Sequence, residues 1–284
     1  QVVSVSGGES SFFADRGWLF GTLLAIVTAM VIVGGIKSIA RVTSKLVPFM
    51  ALLYMSFALI VIGANYEKLP GAIISIFTNA FSPEGVTGGA IAVLVLGFRR
   101  AAFSNEAGVG SASIAHSAAK TNEPVSEGIV ALLEPFIDTV VICTMTALVL
   151  IITGFHDVQG VEGAQMTSQA FGSVFSWFPY LLVVAIFLFA FSTMISWSYY
   201  GLKAWEFLFG KSKASEYSYK LLFLIFIVIG SSVKLGAVLD FSDMMILAMA
   251  FPNIIGLLIL SKEVRFDLDT YYNKLKTGAI KKFK

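Results

Sequence analysis

Charge is scarce in this sequence. Asp, Glu, Lys and Arg make up 13% of its 284 residues, against 57% hydrophobic residues, where soluble domains carry about 25% charged and roughly 45–50% apolar residues. A chain this long could bury a soluble core without giving up half its usual charge, so an ordinary soluble domain is excluded. Cysteine is nearly absent too. Cys143 stands alone inside an apolar run, which rules out a disulfide framework and leaves the redox compartment unread. The two histidines, His116 and His156, lie too far apart to suggest a metal site by local spacing. No secretory signal pattern opens the chain, and position 1 is not Met. The polar stretch from Gln1 to Arg16 reads like the interior of a larger protein, so a fragment is expected. With a net charge of only +2, no nucleic-acid partner is expected.

What is present is apolar sequence in blocks of about 20 residues, the length that crosses a hydrocarbon core of roughly 30 Å, with a mean hydropathy of +0.83 overall. The fold class expected is therefore all-α, a polytopic membrane protein embedded in lipid. Seven spans are read: about Trp18–Ile36, Leu46–Tyr66, Thr87–Ala119, Val125–Gly154, Trp177–Phe209, Tyr219–Gly236 and Asp243–Leu260. A short amphipathic stretch, Ile73–Phe81, lies at the interface or plugs a vestibule.

Lys and Arg set the expected orientation. Alternate loops hold Lys37, Arg41 and Lys45, then Lys120, then Lys203, Lys211, Lys213 and Lys220. The tail adds Lys262, Arg265, Lys274, Lys276, Lys281, Lys282 and Lys284. The opposite set has Arg16, Lys68 and Lys234 beside Glu67, Glu84, Asp157, Glu162 and Asp240. This asymmetry runs the first span from outside to inside and leaves the C-terminus cytoplasmic. Trp18, Tyr66, Trp177 and Tyr180 outside, with Trp205, Tyr217 and Tyr219 inside, fit interfacial belts.

The third span breaks the apolar pattern. At its middle stand Arg99, Arg100, Ser104, Asn105 and Glu106, followed by Gly108, Gly110, Ser111 and Ser113. A charge facing lipid at a helix centre costs at least about 2.5–3.5 kcal/mol, so these residues must face protein or water. Two nearby glycines ease departure from helical geometry. Together they predict a discontinuous helix, broken within about 87–119. Carbonyls at the end of its first half suit Na⁺, and N–H groups at the start of its second suit a carboxylate. Ser104, Asn105, Ala107, Gly108 and Gly110 are the expected substrate contacts, and their small side chains favour a small zwitterion. Close helix packing is the alternative use of such small residues. Arg99 and Arg100 are expected near an outer vestibule or paired with Glu106 or Asp138. Glu134 and Asp138, four apart on one helix face, could relay protons, bind a cation or pair with those arginines. His116 is expected to be solvated or to cap its helix.

These residues carry a resemblance. The string Phe103-Ser-Asn-Glu-Ala-Gly-Val-Gly-Ser-Ala112, then Ile114-Ala-His116, Phe136-Ile-Asp-Thr139 and Cys143-Thr144, resembles the alanine or glycine:cation symporter family. Val33-Gly-Gly-Ile36, Arg41-Val42, Leu46-Val-Pro48, Ala190-Phe-Ser-Thr193 and Trp197-Ser-Tyr-Tyr-Gly201 are similar to it as well. The resemblance implies a leucine-transporter-type fold of two inverted five-helix repeats, of which this chain supplies helices four to ten. It implies that the first three core helices, including the other broken helix, are missing from the chain. It implies sodium as the coupling ion, with a proton possible in its place, and Ser192 and Thr193 as hydroxyl ligands for it. Ser and Thr in membrane helices also bond to their own backbone, which is the competing reading.

The expected function is sodium-coupled uptake of a small amino acid, alanine or glycine, by alternating access in a single transmembrane transporter domain of the cell membrane. No enzyme chemistry is expected. An intramembrane hydrolase using Ser111 or Ser113 with His116 is the alternative, but it lacks a third partner and a nucleophile elbow. An ion channel is the other.

Overall fold

The computed structural model describes residues 3, 10–13, 15–81, 83–158, 160, 163–233 and 235–280, without the side chains of 83–88, 235 and 237. Among them every regular element is helical, and the protein is an all-α polytopic membrane protein. Most of the opening stretch, Glu162, Lys234, Lys281, Lys282, Lys284 and the side chain of Glu84 lie outside the described residues.

In chain order the helices are α1 (Gly17–Ile32), α2 (Gly35–Ala64), α3 (Leu69–Ala80), α4 (Pro83–Asn105) and α5 (Ala112–His116). There follow α6 (Pro124–Thr153), α7 (Gly163–Gly172), α8 (Phe178–Phe209), α9 (Lys213–Gly230) and α10 (Leu235–Thr277). Among the described residues, four helices are long and apolar enough to cross a membrane: α2, α6, α8 and residues Val238–Thr277 of α10. Their outer faces carry large apolar side chains such as Phe251, Leu258 and Ile259 of α10, each at least 70% exposed. Lipid is the medium in which such a surface is stable, because every backbone group of a helix is already bonded internally.

Helix ends depart from the seven expected spans for local reasons. The basic residues Lys37, Arg41 and Lys45 do not form a loop but the first turns of α2, which then continues through Pro48. Span six ends at Gly230, where the small polar pair Ser231-Ser232 follows. The seventh runs well past Leu260 to Thr277, since no Gly or Pro interrupts the residues after it. At Thr153 α6 stops because Gly154 takes a left-handed backbone, φ 81°.

The chain divides into two compact units. One comprises residues 1–90 and 142–238. Its core joins Tyr54, Ala58 and Val61 of α2 to Val149 of α6, Phe171 of α7, and Phe178 and Leu182 of α8. Tyr54 also shares a hydrogen bond with Thr146, 2.5 Å. A second cluster packs Ile32 and Ile39 against Phe191 and Ile195 of α8. Helices α1 and α9 meet where side chains are smallest. The Ser231 hydroxyl donates to the Gly17 carbonyl at 2.9 Å, and a Cβ on Gly21 would lie 2.1 Å from Ser231 Oγ.

The other unit comprises residues 91–141 and 239–284. It contains α4 beyond its bend at Gly89, where the backbone is non-helical, then α5, the first part of α6, and α10 from Leu239. All the expected substrate contacts fall in this unit.

Candidate functional site

The helical backbone of α4 ends at Asn105 and resumes at Ala112, leaving 106–111 unwound. Three residues of that segment have left-handed backbones: Glu106 at φ 56°, Gly108 at 80° and Gly110 at 97°. Glycine takes such a conformation freely, whereas a residue with a Cβ pays about 1–2 kcal/mol. Glu106 is held there by local bonds. Ser111, fully buried, donates to its carboxylate at 2.5 Å, and its carbonyl accepts from Val109 N at 3.1 Å. Non-glycine residues held in this region cluster at ligand sites.

Asn105 closes the first half-helix. Its side-chain oxygen accepts from Ala107 N at 2.9 Å, and its amide nitrogen donates to Thr139 Oγ1 at 2.7 Å. Ser104 beside it donates to Asp138 Oδ2 at 2.5 Å, and Thr139 donates to that same oxygen at 3.2 Å. Asp138 and Thr139 sit in a π-helical stretch of α6, Phe136–Cys143. The wider π turn rotates the residues that follow relative to an α-helix, and such stretches recur at functional sites. Asn105 is buried, while Ser104 and Ala107 are exposed and Gly108 and Gly110 half-buried. Four of the expected contacts thus form one polar strip with α6 and α10. Ala107 adds only its backbone.

The second half is shorter than expected. Instead of reaching about Ala119, α5 ends at His116 after five residues, so its dipole is that of little more than one turn. Any carboxylate would be met mainly by the unwound backbone itself.

The arginines take a partner other than those expected. Both Arg99 and Arg100 pair with Asp243 of α10, Arg99 at 2.6 Å. Asp243 is 4% exposed, so a carboxylate buried at this depth is matched by two cations. Asp138 is taken by Ser104 and Thr139 instead. Ten residues further along α10, Asn253 donates to the Gly108 carbonyl at 2.9 Å. Sequence reasoning missed both α10 residues, although Asp243 was visible as an acid at the start of an apolar span.

His116, the last residue of α5, is half-buried and paired with acids of α6. Its Nδ1 lies 2.8 Å from Glu127 Oε1, and its Nε2 3.6 Å from Glu134 Oε2. Ser113 turns its hydroxyl to the Gly110 carbonyl, 2.7 Å. Neither ring nitrogen of His116 is directed at it. No group of three His, Cys, Asp or Glu able to hold a metal ion occurs among the described residues.

Ser192 and Thr193 lie in the other unit, on α8. Ser192 is buried and its hydroxyl donates to the Phe189 carbonyl at 2.9 Å. Thr193 is exposed on the next helical position. Successive residues point about 100° apart on a helix, so Ser192 faces the packed interior of the unit and Thr193 its surface.

Apolar helices long enough to span a membrane, together with an unwound segment between α4 and α5 beside a strip of hydroxyls, amides and carboxylates, define a polytopic membrane protein with a broken helix. The chain belongs to the sodium:alanine symporter family, whose sequence profile matches residues 1–284. It is 38% identical over 98% of its length to the sodium/alanine symporter AgcS of Methanococcus maripaludis, covering 62% of that protein. It is 37% identical to a Bacillus subtilis protein named "Probable sodium/glutamine symporter GlnT", over 98% of this chain and 58% of that one. A further similarity is to the amino-acid carrier protein AlsT of Bacillus subtilis, 34% identical over 100% of this chain and 61% of that protein. The chain therefore spans about three fifths of the length of the curated relatives it matches.

Proposed function

We propose that this chain forms the greater part of a secondary active symporter of the cell membrane that takes up a small amino acid, alanine or glycine, with Na⁺. The observation that carries the reading is the unwound segment 106–111, set between helices and lined by polar groups in a chain of apolar spans. Irregular backbone is tolerated at membrane depth where it lines a cavity or is buried in protein, and broken helices of that kind bind solutes in transporters. Ser104, Asn105, Ala107, Gly108 and Gly110 are the substrate contacts in this reading. Their small size leaves room for a short side chain.

Na⁺ is a co-substrate here, and Ser192 and Thr193 supply hydroxyl oxygens to it. A serine that donates its proton to a helix carbonyl, as Ser192 does, keeps oxygen lone pairs for a hard cation. A proton could replace Na⁺, and Asp138 and Glu134 are the acids that would take it. The names of the relatives support an amino-acid substrate and sodium coupling. One is named for alanine and one for glutamine, so the specific substrate rests on the small residues of the segment.

The further architecture belongs to the same proposal. The spans correspond to helices four to ten of a leucine-transporter-type inverted repeat, in a single transmembrane transporter domain whose C-terminus is cytoplasmic. The stretch of the relatives' length outside this chain supplies the remaining core helices. Transport follows by alternating access, one bundle rocking against the rest.

The test is uptake of radiolabelled alanine into proteoliposomes holding the protein completed at its N-terminus, with and without an inward Na⁺ gradient. Gradient-driven accumulation, lost in Asn105→Ala and Thr193→Ala variants that still insert and fold, is the expected result. No accumulation under either a Na⁺ or an H⁺ gradient overturns the reading. Passive equilibration without accumulation would identify a channel.

A further inference from the structure

Helix α10 touches the broken helix at two points that lie in register. Asp243 receives Arg99 and Arg100 before the break. Asn253 reaches Gly108 within it. The steps between these points are nearly equal on the two sides, ten residues on α10 and eight or nine on the other strand, and both run in the same direction. Ten helical residues span about 15 Å. Helix α10 therefore lies alongside the end of α4 and continues past it, next to the segment that has no helical bonds of its own.

Asn253 fits the segment closely. Its Nδ2 donates to the Gly108 carbonyl at 2.9 Å. The position a Cβ on Gly110 would take lies 2.8 Å from Asn253 Oδ1 and 2.9 Å from its Cγ. The amide thus occupies the space that Gly110 leaves by having no side chain. Pro252, directly before it inside α10, has no N–H to donate along that helix. A carbonyl in an unwound segment has lost its helical partner, and inside a membrane it must find another. For Gly108 that partner is Asn253.

We propose that Asn253 is the positioning residue of the unwound segment: its amide fixes the Gly108 carbonyl and seats against Gly110, so that the backbone meeting the substrate is held open before substrate arrives. Asn253 acts through the backbone and needs no contact with the substrate. The inference rests on the symporter reading for its link to transport, but the positioning itself does not. Holding a binding segment in its bound shape improves affinity by removing the ordering cost. Releasing it therefore weakens binding more than it slows turnover.

The experiment compares wild type, Asn253→Asp and Asn253→Ala in the N-terminally completed protein. Asn253→Asp keeps the shape and removes the N–H donor, so it serves even if Asn253→Ala folds poorly. The first readout is the initial rate of Na⁺-driven alanine uptake against alanine concentration. Both variants are expected to raise KM roughly tenfold, the scale of one hydrogen bond of about 1.4 kcal/mol, with the maximal rate per folded molecule within about twofold of wild type. An unchanged KM, or a loss confined to the maximal rate, overturns the proposal.

The second readout needs no transport. Val109 is 2% exposed, and a Val109→Cys reporter, in a background where Cys143→Ser removes the native thiol, should react slowly with a small thiol reagent. Adding Asn253→Asp is expected to accelerate labelling at least fivefold under native conditions. If wild type accumulates no amino acid but labelling accelerates, the symporter reading falls and the positioning role stands. If labelling does not accelerate, the positioning role falls whatever the uptake shows.

Discussion

The amide nitrogen of Asn105 lies 2.7 Å from the hydroxyl of Thr139, a link across 34 residues between the last turn of α4 and the π-helical stretch of α6. The other end of the same amide accepts from Ala107 N. One buried side chain thus ends a helix and ties the break to a neighbouring helix.

Replacing Asn105 removes both bonds at once. Asn105→Ala should lower stability by about 2 kcal/mol, on the scale of orphaning buried polar groups, and should reduce alanine uptake at least tenfold. Asn105→Asp keeps the acceptor for Ala107 and loses the donor to Thr139, so it should fall between the two. Thermal unfolding in detergent and uptake in proteoliposomes read these outcomes. Equal uptake in all three proteins would detach Asn105 from the site.

Asp243 and its two arginines should respond asymmetrically. Removing the shared carboxylate leaves two half-exposed arginines without their common partner, so Asp243→Ala should destabilise by about 1–3 kcal/mol. Arg99→Ala or Arg100→Ala alone leaves the carboxylate one partner, and each should cost about 1 kcal/mol. Midpoints of thermal or denaturant unfolding check this. A single arginine variant as damaging as Asp243→Ala would mean that the two cations are not interchangeable.

The two glycines of the unwound segment separate backbone strain from steric conflict. Both have left-handed backbones, but a Cβ at Gly108 meets open space, whereas one at Gly110 meets the Asn253 side chain. Gly108→Ala should cost only the conformational strain of about 1–2 kcal/mol. Gly110→Ala adds the clash and should abolish uptake. Similar uptake by the two variants would argue against the closeness of Asn253.

The hydrolase alternative makes its own forecast. Ser113 is bonded to the Gly110 carbonyl and His116 faces Glu127 and Glu134, so no base is positioned to activate the serine. Ser113→Ala should retain uptake within about twofold, and a fluorophosphonate probe should leave Ser113 unlabelled. Labelling at Ser113 in the folded protein would revive the alternative.

The discontinuity near Asn105 was legible because charge, amides and glycine are out of place at membrane depth, and lipid penalises each of them. The long apolar helices were legible for the complementary reason. The partners of the break were not. Asp243 and Asn253 lie more than 140 residues from Arg100 and Gly108, and no local pattern joins residues so distant. The π turns of Phe136–Cys143 also have no residue signature, since one extra residue per turn is a packing outcome. The short span of α5 escaped notice because Ile114-Ala-His-Ser-Ala-Ala119 is compatible with helix to its end, and only tertiary context stops it.

The contact of Gly17 and Gly21 with Ser231 bears on which motions are available to its unit. Sliding α1 along α9 by one residue, about 1.5 Å, would draw the Gly17 carbonyl away from the Ser231 hydroxyl and carry Ser231 off the space that Gly21 leaves clear. Shear between these two helices is therefore opposed by the loss of that hydrogen bond and of the close fit, while joint translation is not. The pair behaves as a ratchet with one tooth engaged, and it would travel as a single stiff beam in any rearrangement of the protein.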